Sequence, residues 1–268
     1  MRNKEYRISV IMGIYNCAST LPEALDSLLA QTYKDFKVIM CDDGSTDNTY
    51  EAARQYAENY NNFILIKNDK NKGLNYTLNH CLEYADTELV ARMDGDDISL
   101  PTRFEKEIAA LDAQPEISFV STAMHYNNEK GIFRTSELKE YPQPKDFIYG
   151  TPFCHAPCMV RAEVYRAVDG YSVDEKLLRV EDYHLWSKMY AQGFRGYNIT
   201  EPLYMMRDDR NAISRRKYKY RVNEARVMYH GIKNLHLPVY YRLYAMKPIL
   251  VGLLPVPIYR FFRSFKNN

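Results

Sequence analysis

The stretch FKVIMCDDGSTDNT, residues 36–49, decides the fold. Its first six residues are mostly apolar and suit a buried β-strand, whereas the Asp, Gly, Ser and Thr residues that follow are typical of a turn. From Thr49 to Tyr60 apolar residues return at helical spacing, and residues 46–49 offer capping side chains. The stretch therefore predicts a strand, a polar loop and a helix in direct succession.

The same unit recurs along the first hundred residues. The predicted strands are Ile8–Ile14, Phe36–Cys41, Phe63–Lys67 and Leu89–Met93, and the predicted helices between them are Leu21–Ala30, Thr49–Tyr60 and Thr77–Tyr84. This alternation predicts an α/β fold with a doubly wound, mostly parallel sheet and helices on both faces. Because ligands of such sheets bind beyond the carboxyl ends of the strands, we expect the functional site at the polar loops that follow them.

The pattern after residue 100 is less regular. It predicts a helix over Arg103–Gln114, strands over Ile117–Thr122 and Cys158–Arg161, and a helix over Asp182–Gln192. No internal repeat or low-complexity linker divides this part of the sequence. We therefore predict one α/β domain over residues 1–206, followed by a basic, helical C-terminal segment over residues 207–268.

Charge is divided unevenly between these two parts. The formal net charge is only +2, but residues 207–268 hold 14 Lys and Arg against 3 Asp and Glu, whereas residues 1–206 hold 22 against 31. Basic and apolar residues are interleaved in the C-terminal segment, a composition that suits an anionic lipid surface or contact with a phosphate-bearing acceptor. Its longest apolar run, Pro248–Tyr259, has 12 residues, whereas a spanning helix needs about 20. The segment is predicted to lie on a membrane without crossing it.

The start of the sequence and its cysteines indicate a reducing compartment. Residues 1–7 lack the apolar middle region of a secretory signal. The five cysteines are an odd number without a close Cys-x-x-Cys pair, which argues against both a disulfide framework and a zinc knuckle. We expect a cytoplasmic protein that is peripheral on the inner face of the cell membrane.

Two groups of carboxylates follow predicted strands. Asp42 and Asp43 follow the second strand, where a carboxylate can accept hydrogen bonds from a nucleobase or a ribose, although an ordinary turn has the same composition. Asp94, Asp96 and Asp97 follow the fourth strand. Their mutual repulsion favours a divalent cation, Mn²⁺ or Mg²⁺, that bridges a diphosphate. A solvated acidic turn is the alternative interpretation.

A third group lies at the start of the predicted helix over residues 182–192. Glu181 and Asp182 could include a general base that takes a proton from an acceptor hydroxyl, or they could simply stabilise the helix N-terminus. His155 lies in the Pro-bounded loop PFCHAP, residues 152–157, and is a further candidate for an acceptor contact. A lone histidine is, however, more often structural than a ligand.

Taken in order, these motifs resemble the family 2 glycosyltransferases of the GT-A fold. The motifs are SVIMGIYN (9–16), QT (31–32), DDGSTD (42–47), NKGL (71–74), DGDD (94–97) and EDYHLW (181–186), and the similarity spans about residues 8–205. A set of motifs in this order is more specific than any one of them. The chain is most similar to bacterial members that build capsules, exopolysaccharides and lipopolysaccharide, including the amylovoran-type enzymes.

The resemblance implies roles for individual residues. Contacts to a nucleotide-sugar donor would come from Gly13, Tyr15, Asp42, Asp43, Lys72, Arg92 and Asp94, and the metal ligand would be Asp96. Asp182 matches the catalytic base of the family, with Glu181 and His155 on the acceptor side. Such enzymes invert the anomeric centre in one displacement and most often use a uridine diphosphate sugar. The implied acceptor is a growing, lipid-linked cell-surface glycan.

Other classes of protein fit the sequence less well. A nucleotidyltransferase would need a Gly-rich, cationic loop after the first strand, and GIYN, residues 13–16, is not one. A non-catalytic sugar- or nucleotide-binding protein would need no base at position 182. RRKYKYR, residues 215–221, interleaves cations and aromatic rings as nucleic-acid-binding segments do. The apolar residues and prolines that follow it favour a lipid surface, so no nucleic-acid partner is predicted.

Overall fold

The computed structural model describes residues 6–207 and 217–254 of the chain. These residues form one sheet, with strands β1 (Ile8–Ile14), β2 (Phe36–Asp42), β3 (Phe63–Lys67), β4 (Leu89–Arg92), β5 (Ile98–Ser99), β6 (Phe119–Asn128), β7 (Gly131–Thr135), β8 (Cys158–Arg161) and β9 (Gly196–Arg207). The helices are α1 (Leu21–Leu29), α2 (Thr49–Asn59), α3 (Leu74–Leu82), α4 (Arg103–Ala113), α5 (Ala162–Ala167), α6 (Glu181–Ala191), α7 (Tyr218–Asn234) and α8 (Lys247–Leu253). Short 3-10 helices cover Pro144–Tyr149, Glu175–Leu177 and Val239–Met246.

The sheet is mostly parallel, as the sequence predicts. The strand order is β3-β2-β1-β4-β8-β6-β9-β5, with β7 paired to β6. Strands β3, β2, β1 and β4 are parallel neighbours, and β6 pairs in parallel with β9. Strands β8, β7 and β5 run antiparallel to their neighbours. The carboxyl ends of β1, β2 and β4 therefore meet at one edge of the sheet.

Helices cover both faces of this sheet because alternate residues of each strand point to opposite sides. Val10 and Met12 of β1 belong to a core cluster that includes residues of α1, α2 and α4. Ile11, between them, belongs to a second cluster that includes residues of α3, α5 and α6. The predicted doubly wound arrangement is confirmed.

The C-terminal helices pack against the face that carries α6. Val227, Met228 and Ile232 of α7 are buried in the same cluster as residues of α6. Gly231 lets the two helices approach closely, because a Cβ atom added there would lie 2.9 Å from the ring of Tyr183. The predicted helical character of this segment is confirmed for α7 and α8, and α7 shares its core with the α/β domain.

The basic C-terminal segment is described only in part. Residues 208–216 and 255–268, which include the end of the apolar run Pro248–Tyr259, lie outside the described residues. Within residues 6–207 and 217–254, no helix has the length and hydropathy needed to cross a bilayer.

The largest departures from the predicted elements lie in the second half of the sheet. The sequence pattern predicts neither the hairpin strand β7 nor the 12-residue strand β9. Pro202 interrupts β9 at a register shift opposite β6, and a proline normally argues against an interior strand. Strand β6 also continues beyond its predicted end to Asn128, because its polar second half forms the hairpin with β7. Two helices, α3 and α6, begin earlier than predicted.

Candidate active site

The loops after β1 and β2 are tied together at the carboxyl edge of the sheet. The backbone NH of Asn16 donates to Ser45 Oγ at 3.1 Å, and the backbone NH of Thr46 donates to Asn16 Oδ1 at 2.9 Å. Tyr15, beside this junction, is exposed and accessible to a ligand. Gly13, two residues before Tyr15 and still in β1, lies against α3. A Cβ atom added there would be 3.2 Å from the side chain of Leu74.

Asp42 and Asp43 have different surroundings although both are buried. Asp43 Oδ1 accepts hydrogen bonds from Asn68 Nδ2 at 2.7 Å and from the Lys72 NH at 2.8 Å, and its Oδ2 accepts one from the Gly73 NH at 2.9 Å. Asp43 is therefore occupied in shaping the loop before α3. Asp42 Oδ2 accepts a hydrogen bond from the Ser45 NH at 3.2 Å.

The second oxygen of Asp42 is the acceptor that remains available. Asp42 Oδ1 is buried and has no hydrogen-bond partner among the described residues. A buried acceptor without a partner costs about 1–3 kcal/mol. A ligand donor at this position would recover that cost, which makes Asp42 the better placed of the two predicted nucleobase contacts.

Asn68, which sequence reasoning missed, organises this part of the site. It follows β3 and is buried; its Nδ2 also donates to Thr77 Oγ1 at 3.0 Å, and its Oδ1 lies 2.9 Å from His80 Nδ1. Its position just after a parallel strand, next to the Asp42–Asp43 pair, was the available signal.

The Lys72 ammonium lies 2.7 Å from the Asp69 carboxylate. Lys72 therefore contributes its backbone NH to this network while its side chain is paired.

The end of β4 carries an ion pair between a buried arginine and a partly exposed aspartate. Arg92 is 4% exposed, and its Nη2 lies 2.5 Å from Asp94 Oδ1. The Asp94 NH donates to the hydroxyl of Tyr204 on β9 at 3.2 Å, and Asp97 Oδ1 accepts a hydrogen bond from the Arg207 NH at 2.9 Å. The loop with the sequence DGDD is thus attached at both ends to β9, the strand that sequence reasoning missed.

The pKa values of two carboxyl groups in this loop, Asp96 and Asp97, are raised. Desolvation is the first cause for Asp96 and Asp97, and the negative charge of Asp94 is the second. Asp97 is buried and accepts a hydrogen bond from Arg207, whereas Asp96 is only partly desolvated and remains accessible to solvent. A cation beside Asp94 and Asp96 would relieve this repulsion.

Asp94 and Asp96 fit a divalent cation that is shared with a substrate diphosphate. Within the described ranges, no cluster of three or more His, Cys, Asp or Glu side chains forms a self-sufficient metal cage. Mg²⁺ is typically held by one or two carboxylates together with substrate phosphates and waters. Two neighbouring carboxylates with raised proton affinity at Asp96 match that donor set.

A second ion pair lies beneath β4. Arg103 and Glu107 of α4 are both fully buried, and Arg103 Nε lies 3.1 Å from Glu107 Oε1. Arg103 Nη2 donates to the backbone carbonyl of Arg92 at 2.9 Å, and its guanidinium lies 5.3 Å from the ring centre of Tyr204. The pair therefore supports both Arg92 and Tyr204. The sequence pattern gave no sign of it, because charged residues at helix starts are usually exposed.

A cavity of about 1010 Å³ brings together the remaining predicted residues. The predicted residues that line it are Arg92, Asp94, His155, Glu181 and Asp182. Further lining residues come from the β6–β7 hairpin and the segment after it, residues 124–138. The other predicted residues do not line this cavity: Gly13 and Asp42 lie at the ends of β1 and β2, and Tyr15, Asp43, Lys72 and Asp96 lie in loops.

Asp182 has the properties of a weakly acidic carboxyl group. Its pKa is raised to about 6, mainly by burial; a hydrogen bond from the Tyr183 NH at 2.7 Å opposes this shift, and the neighbouring charge of Glu181 adds to it. The residue before α6, Val180, caps the helix without a side-chain hydrogen bond. Asp182 is therefore not the N-cap of α6, and it lines the cavity in a state suited to accept a proton.

His155 is half-buried in the cavity wall. Its Nε2 lies 2.9 Å from the Tyr171 hydroxyl, and its ring packs edge-on against Trp186. Burial first, and the charge of Arg92 second, hold the pKa of His155 well below its ordinary value. A neutral, hydrogen-bonded imidazole suits a polar contact to an acceptor better than proton transfer near neutral pH.

The chain belongs to glycosyl transferase family 2, whose sequence pattern matches residues 9–168. It is 42% identical to the putative glycosyltransferase EpsE of Bacillus subtilis (strain 168), over 96% of this chain and 92% of that protein. It is 28% identical to WfaP of Escherichia coli, a UDP-Glc:alpha-D-GlcNAc-diphosphoundecaprenol beta-1,3-glucosyltransferase, over 91% of this chain and 94% of WfaP. The predicted family and the predicted enzyme class are confirmed.

Solved structures show the same fold. The structure of TarS residues 1–349 of S. aureus in complex with UDP-GlcNAc superposes with a TM-score of 0.71 at 22% identity, covering 92% of this chain and 72% of that one. The mannosyltransferase PcManGT of Pyrobaculum calidifontis, in complex with GDP-Man and Mn²⁺, gives a TM-score of 0.60 at 21% identity, covering 98% and 80%. The protein thus has the predicted GT-A fold.

Replacement of Tyr204 by Phe tests whether β9 holds the DGDD loop. The change removes the hydroxyl that accepts the Asp94 NH and that also favours the charged form of Asp97. We expect the affinity for UDP with Mn²⁺ to fall about tenfold, with a loss of about 1 kcal/mol in the free energy of unfolding. Calorimetric titration and urea denaturation measure the two effects.

Tyr197→Phe is the matched control, because this tyrosine lies at the other end of β9 and packs on Tyr141. Its replacement should leave UDP affinity unchanged. If both variants bind UDP like the original protein, the hydroxyl of Tyr204 has no positioning role.

Proposed function

We propose that the protein is an inverting glycosyltransferase that transfers a sugar from a nucleoside-diphosphate sugar, foremost a UDP-sugar, to a hydroxyl of a lipid-linked cell-surface glycan. The observation that carries the proposal is the shared cavity of Asp182 and the Arg92–Asp94 pair. A proton acceptor and the loop predicted to contact the donor thus line one space. A nucleotidyltransferase or a non-catalytic binding protein would not need Asp182 there.

The donor is proposed to bind along the carboxyl ends of β1, β2 and β4. Asp42 Oδ1 supplies an unused buried acceptor for a nucleobase NH, and exposed Tyr15 lies on the neighbouring loop. The name of the relative WfaP gives UDP-Glc as its donor, and the structural neighbour TarS was solved in complex with UDP-GlcNAc. Uridine is therefore the base we favour.

Asp96, with Asp94 beside it, is proposed to hold Mn²⁺ or Mg²⁺. When bound, such an ion would offset negative charge on the departing nucleoside diphosphate. The role of the protein is to keep the two carboxylates together: Arg92 pairs with Asp94, and the Tyr204 hydroxyl accepts the Asp94 NH.

Asp182 is proposed to be the general base. The acceptor oxygen forms a bond to the anomeric carbon as the bond from that carbon to the diphosphate oxygen breaks, and the diphosphate leaves with the electron pair. The hydroxyl proton passes to Asp182, whose pKa of about 6 leaves it ionised at neutral pH yet more basic than an ordinary aspartate. His155 and Glu181 are proposed to contact the acceptor.

Residues 239–254 are proposed to contact the inner face of the cell membrane. They form an apolar C-terminal surface with the exposed side chains Val239, Tyr240, Leu243, Tyr244, Met246, Leu250, Leu253 and Leu254. Arg242 and Lys247 lie among them, and the sequence has no acidic residue after Glu224. Apolar side chains interspersed with cations suit an anionic lipid surface.

The apolar C-terminal surface borders the proposed acceptor cavity. The ring of Tyr244 makes an edge-on contact with Tyr149, with 6.0 Å between ring centres. Tyr149 shortly precedes Thr151 and Phe153, which line the cavity. A lipid-linked acceptor could therefore reach the cavity from the membrane surface. This supports the placement of the protein as a peripheral, cytoplasmic enzyme.

A panel of nucleotide-sugars tests the donor and the metal together. We expect one UDP-sugar to raise the melting temperature in the presence of Mn²⁺ and to be turned over, and we expect chelator to abolish turnover. Asp96→Asn should lower kcat by at least about 10², because the ion loses a charged ligand. Asp169→Asn, an equal change of charge at an exposed turn, should behave like the original protein. Full activity of the Asp96 variant would contradict the metal role.

The pH dependence tests Asp182. A raised pKa means that Asp182 becomes protonated as the pH falls through about 6, so kcat/KM should fall below that pH. Asp182→Asn should lower kcat at neutral pH by a factor of about 10² or more. Its remaining kcat/KM should no longer fall below about pH 6 (the acid limb of the pH profile), and its donor affinity should be unchanged. Steady-state rates measured between about pH 5 and 9, a range that includes this pKa, test the expectation.

Glu181→Gln provides the control for this measurement. Its negative charge helps to raise the pKa of Asp182, so its removal should move the acid limb to lower pH while turnover persists. If Asp182→Asn instead abolishes nucleotide binding or folding, Asp182 is structural and another group is the base.

Vesicle flotation tests the apolar C-terminal surface. We expect the protein to float with anionic vesicles at low salt and less so at high salt. A variant with Leu243→Gln, Leu250→Gln and Leu253→Gln should remain in solution, because it loses three exposed apolar side chains. Val173→Gln changes an exposed apolar residue outside that surface and should float normally. Equal flotation of all variants would contradict the membrane proposal.

A further inference from the structure

Two arginines of the cavity that contains Asp182, called here the acceptor cavity, have no role in the proposed mechanism. Arg134 lies on β7 and Arg179 lies just before α6, and both line the cavity. Within residues 6–207 and 217–254, neither guanidinium has a carboxylate oxygen within 4.0 Å. The third arginine of the lining, Arg92, is already paired with Asp94.

The β6–β7 hairpin holds Arg134 in a defined position. Tyr126 and Arg134 are directly opposite each other in the antiparallel register, and the guanidinium carbon of Arg134 lies 3.4 Å from the ring centre of Tyr126. A guanidinium stacked on a ring keeps its NH groups directed outward in its plane, which is the geometry that binds phosphate oxygens in pairs.

Arg179 is held by an uncommon backbone conformation. Its φ of 72° lies in the left-handed region, which residues other than glycine rarely adopt. Such strain persists where the surrounding structure imposes it and is common at ligand sites. Val180, which follows it, and Leu177, two residues before it, are buried and anchor the segment.

The other residues that line the acceptor cavity indicate what kind of molecule would carry an anion bound by the two arginines. The other charged groups of the cavity are the carboxylates of Asp94, Glu137, Glu181 and Asp182, so the two arginines are its only unpaired cations among the described residues. Apolar side chains also line the cavity: Met124 and Phe133 of the hairpin, Leu138 after it, and Met206 of β9. A volume of about 1010 Å³ is at the upper end for small-molecule sites and exceeds the needs of a single sugar.

We infer that Arg134 and Arg179 bind the diphosphate of the acceptor, and that the acceptor is therefore a short glycosyl diphosphate on a lipid. This inference rests on the proposed function. Asp182 and the two arginines line one cavity, so an acceptor whose diphosphate is close to the attacked hydroxyl can contact all three groups. A long glycan would place its diphosphate far from the attacked hydroxyl and would leave both arginines unpaired.

The donor diphosphate is the competing ligand for these cations. The proposed donor contacts after β1 and β2 do not line this cavity, and Arg92 and Asp94, which do, lie at the end of β4, whereas Arg134 lies on the β6–β7 hairpin. The apolar residues Ile132 and Phe133, which precede Arg134, are exposed. They suit an anion that carries a hydrocarbon chain better than one that carries a nucleoside.

Binding of undecyl diphosphate, a probe without any sugar, tests the inference independently of acceptor identity. The titration is done calorimetrically with saturating UDP and with chelator present, so that the probe cannot bind through a metal ion at Asp96. We expect the original protein to bind the probe, and we expect Arg134→Gln and Arg179→Gln each to weaken binding about tenfold or more. Arg134→Lys should bind the probe more tightly than Arg134→Gln but less tightly than the original protein. Lysine keeps the positive charge but lacks the planar guanidinium that can bind two phosphate oxygens at once.

Lys130→Gln is the matched control, because it removes the same charge from the tip of the same hairpin outside the cavity lining. The inference is overturned if the probe does not bind, if Lys130→Gln weakens binding as much as Arg134→Gln, or if the probe displaces UDP. Binding of UDP-sugar with Mn²⁺ is measured on the same preparations. Its absence would overturn the proposed function, whereas normal donor binding without probe binding would overturn this inference alone.

Discussion

A guanidinium buried at the end of β4 is the feature on which the rest of the site depends. Arg92 is almost completely removed from water, and such a charge is tolerated only when it is paired, so Asp94 is held beside it. The same positive charge favours the ionised forms of Asp96 and Asp182 and disfavours protonation of His155. One buried cation therefore influences protonation on the proposed donor and acceptor sides alike.

Holding that cation requires a second layer of buried polar groups. Arg103 donates to the carbonyl of Arg92 and forms a fully buried ion pair with Glu107, whose pKa burial raises to about 7 against the opposing charge of Arg103. Buried ion pairs contribute little net stability, but removal of one partner is costly. The main effect of this layer is geometric, because it fixes β4 against α4 and β9 and so fixes the loop that carries Asp94 and Asp96.

Adjacent carboxylates can serve different purposes when their surroundings differ. Asp42 and Asp43 are neighbours at one strand end, and composition alone gives no reason to separate them. Asp43 accepts three hydrogen bonds from the loop before α3, whereas Asp42 keeps one buried oxygen without a partner in the described chain. The alternation of side chains along an extended backbone sends the two groups in opposite directions. The result is one structural carboxylate and one that is available to a ligand.

Local sequence pattern determined the strands β1 to β4, the helices between them, the carboxylates at their ends and the family. These features follow from periodicity and turn composition, which act over a few residues. Only the tertiary structure decided the roles of Asn68, Arg103 and Tyr204, the path of β9 through Pro202, and the cavity that joins Asp182 to Arg92. The contact between Asp94 and Tyr204 joins the loop after β4 to β9, more than a hundred residues apart along the chain. Such contacts depend on which elements pack together, and no local period encodes that choice.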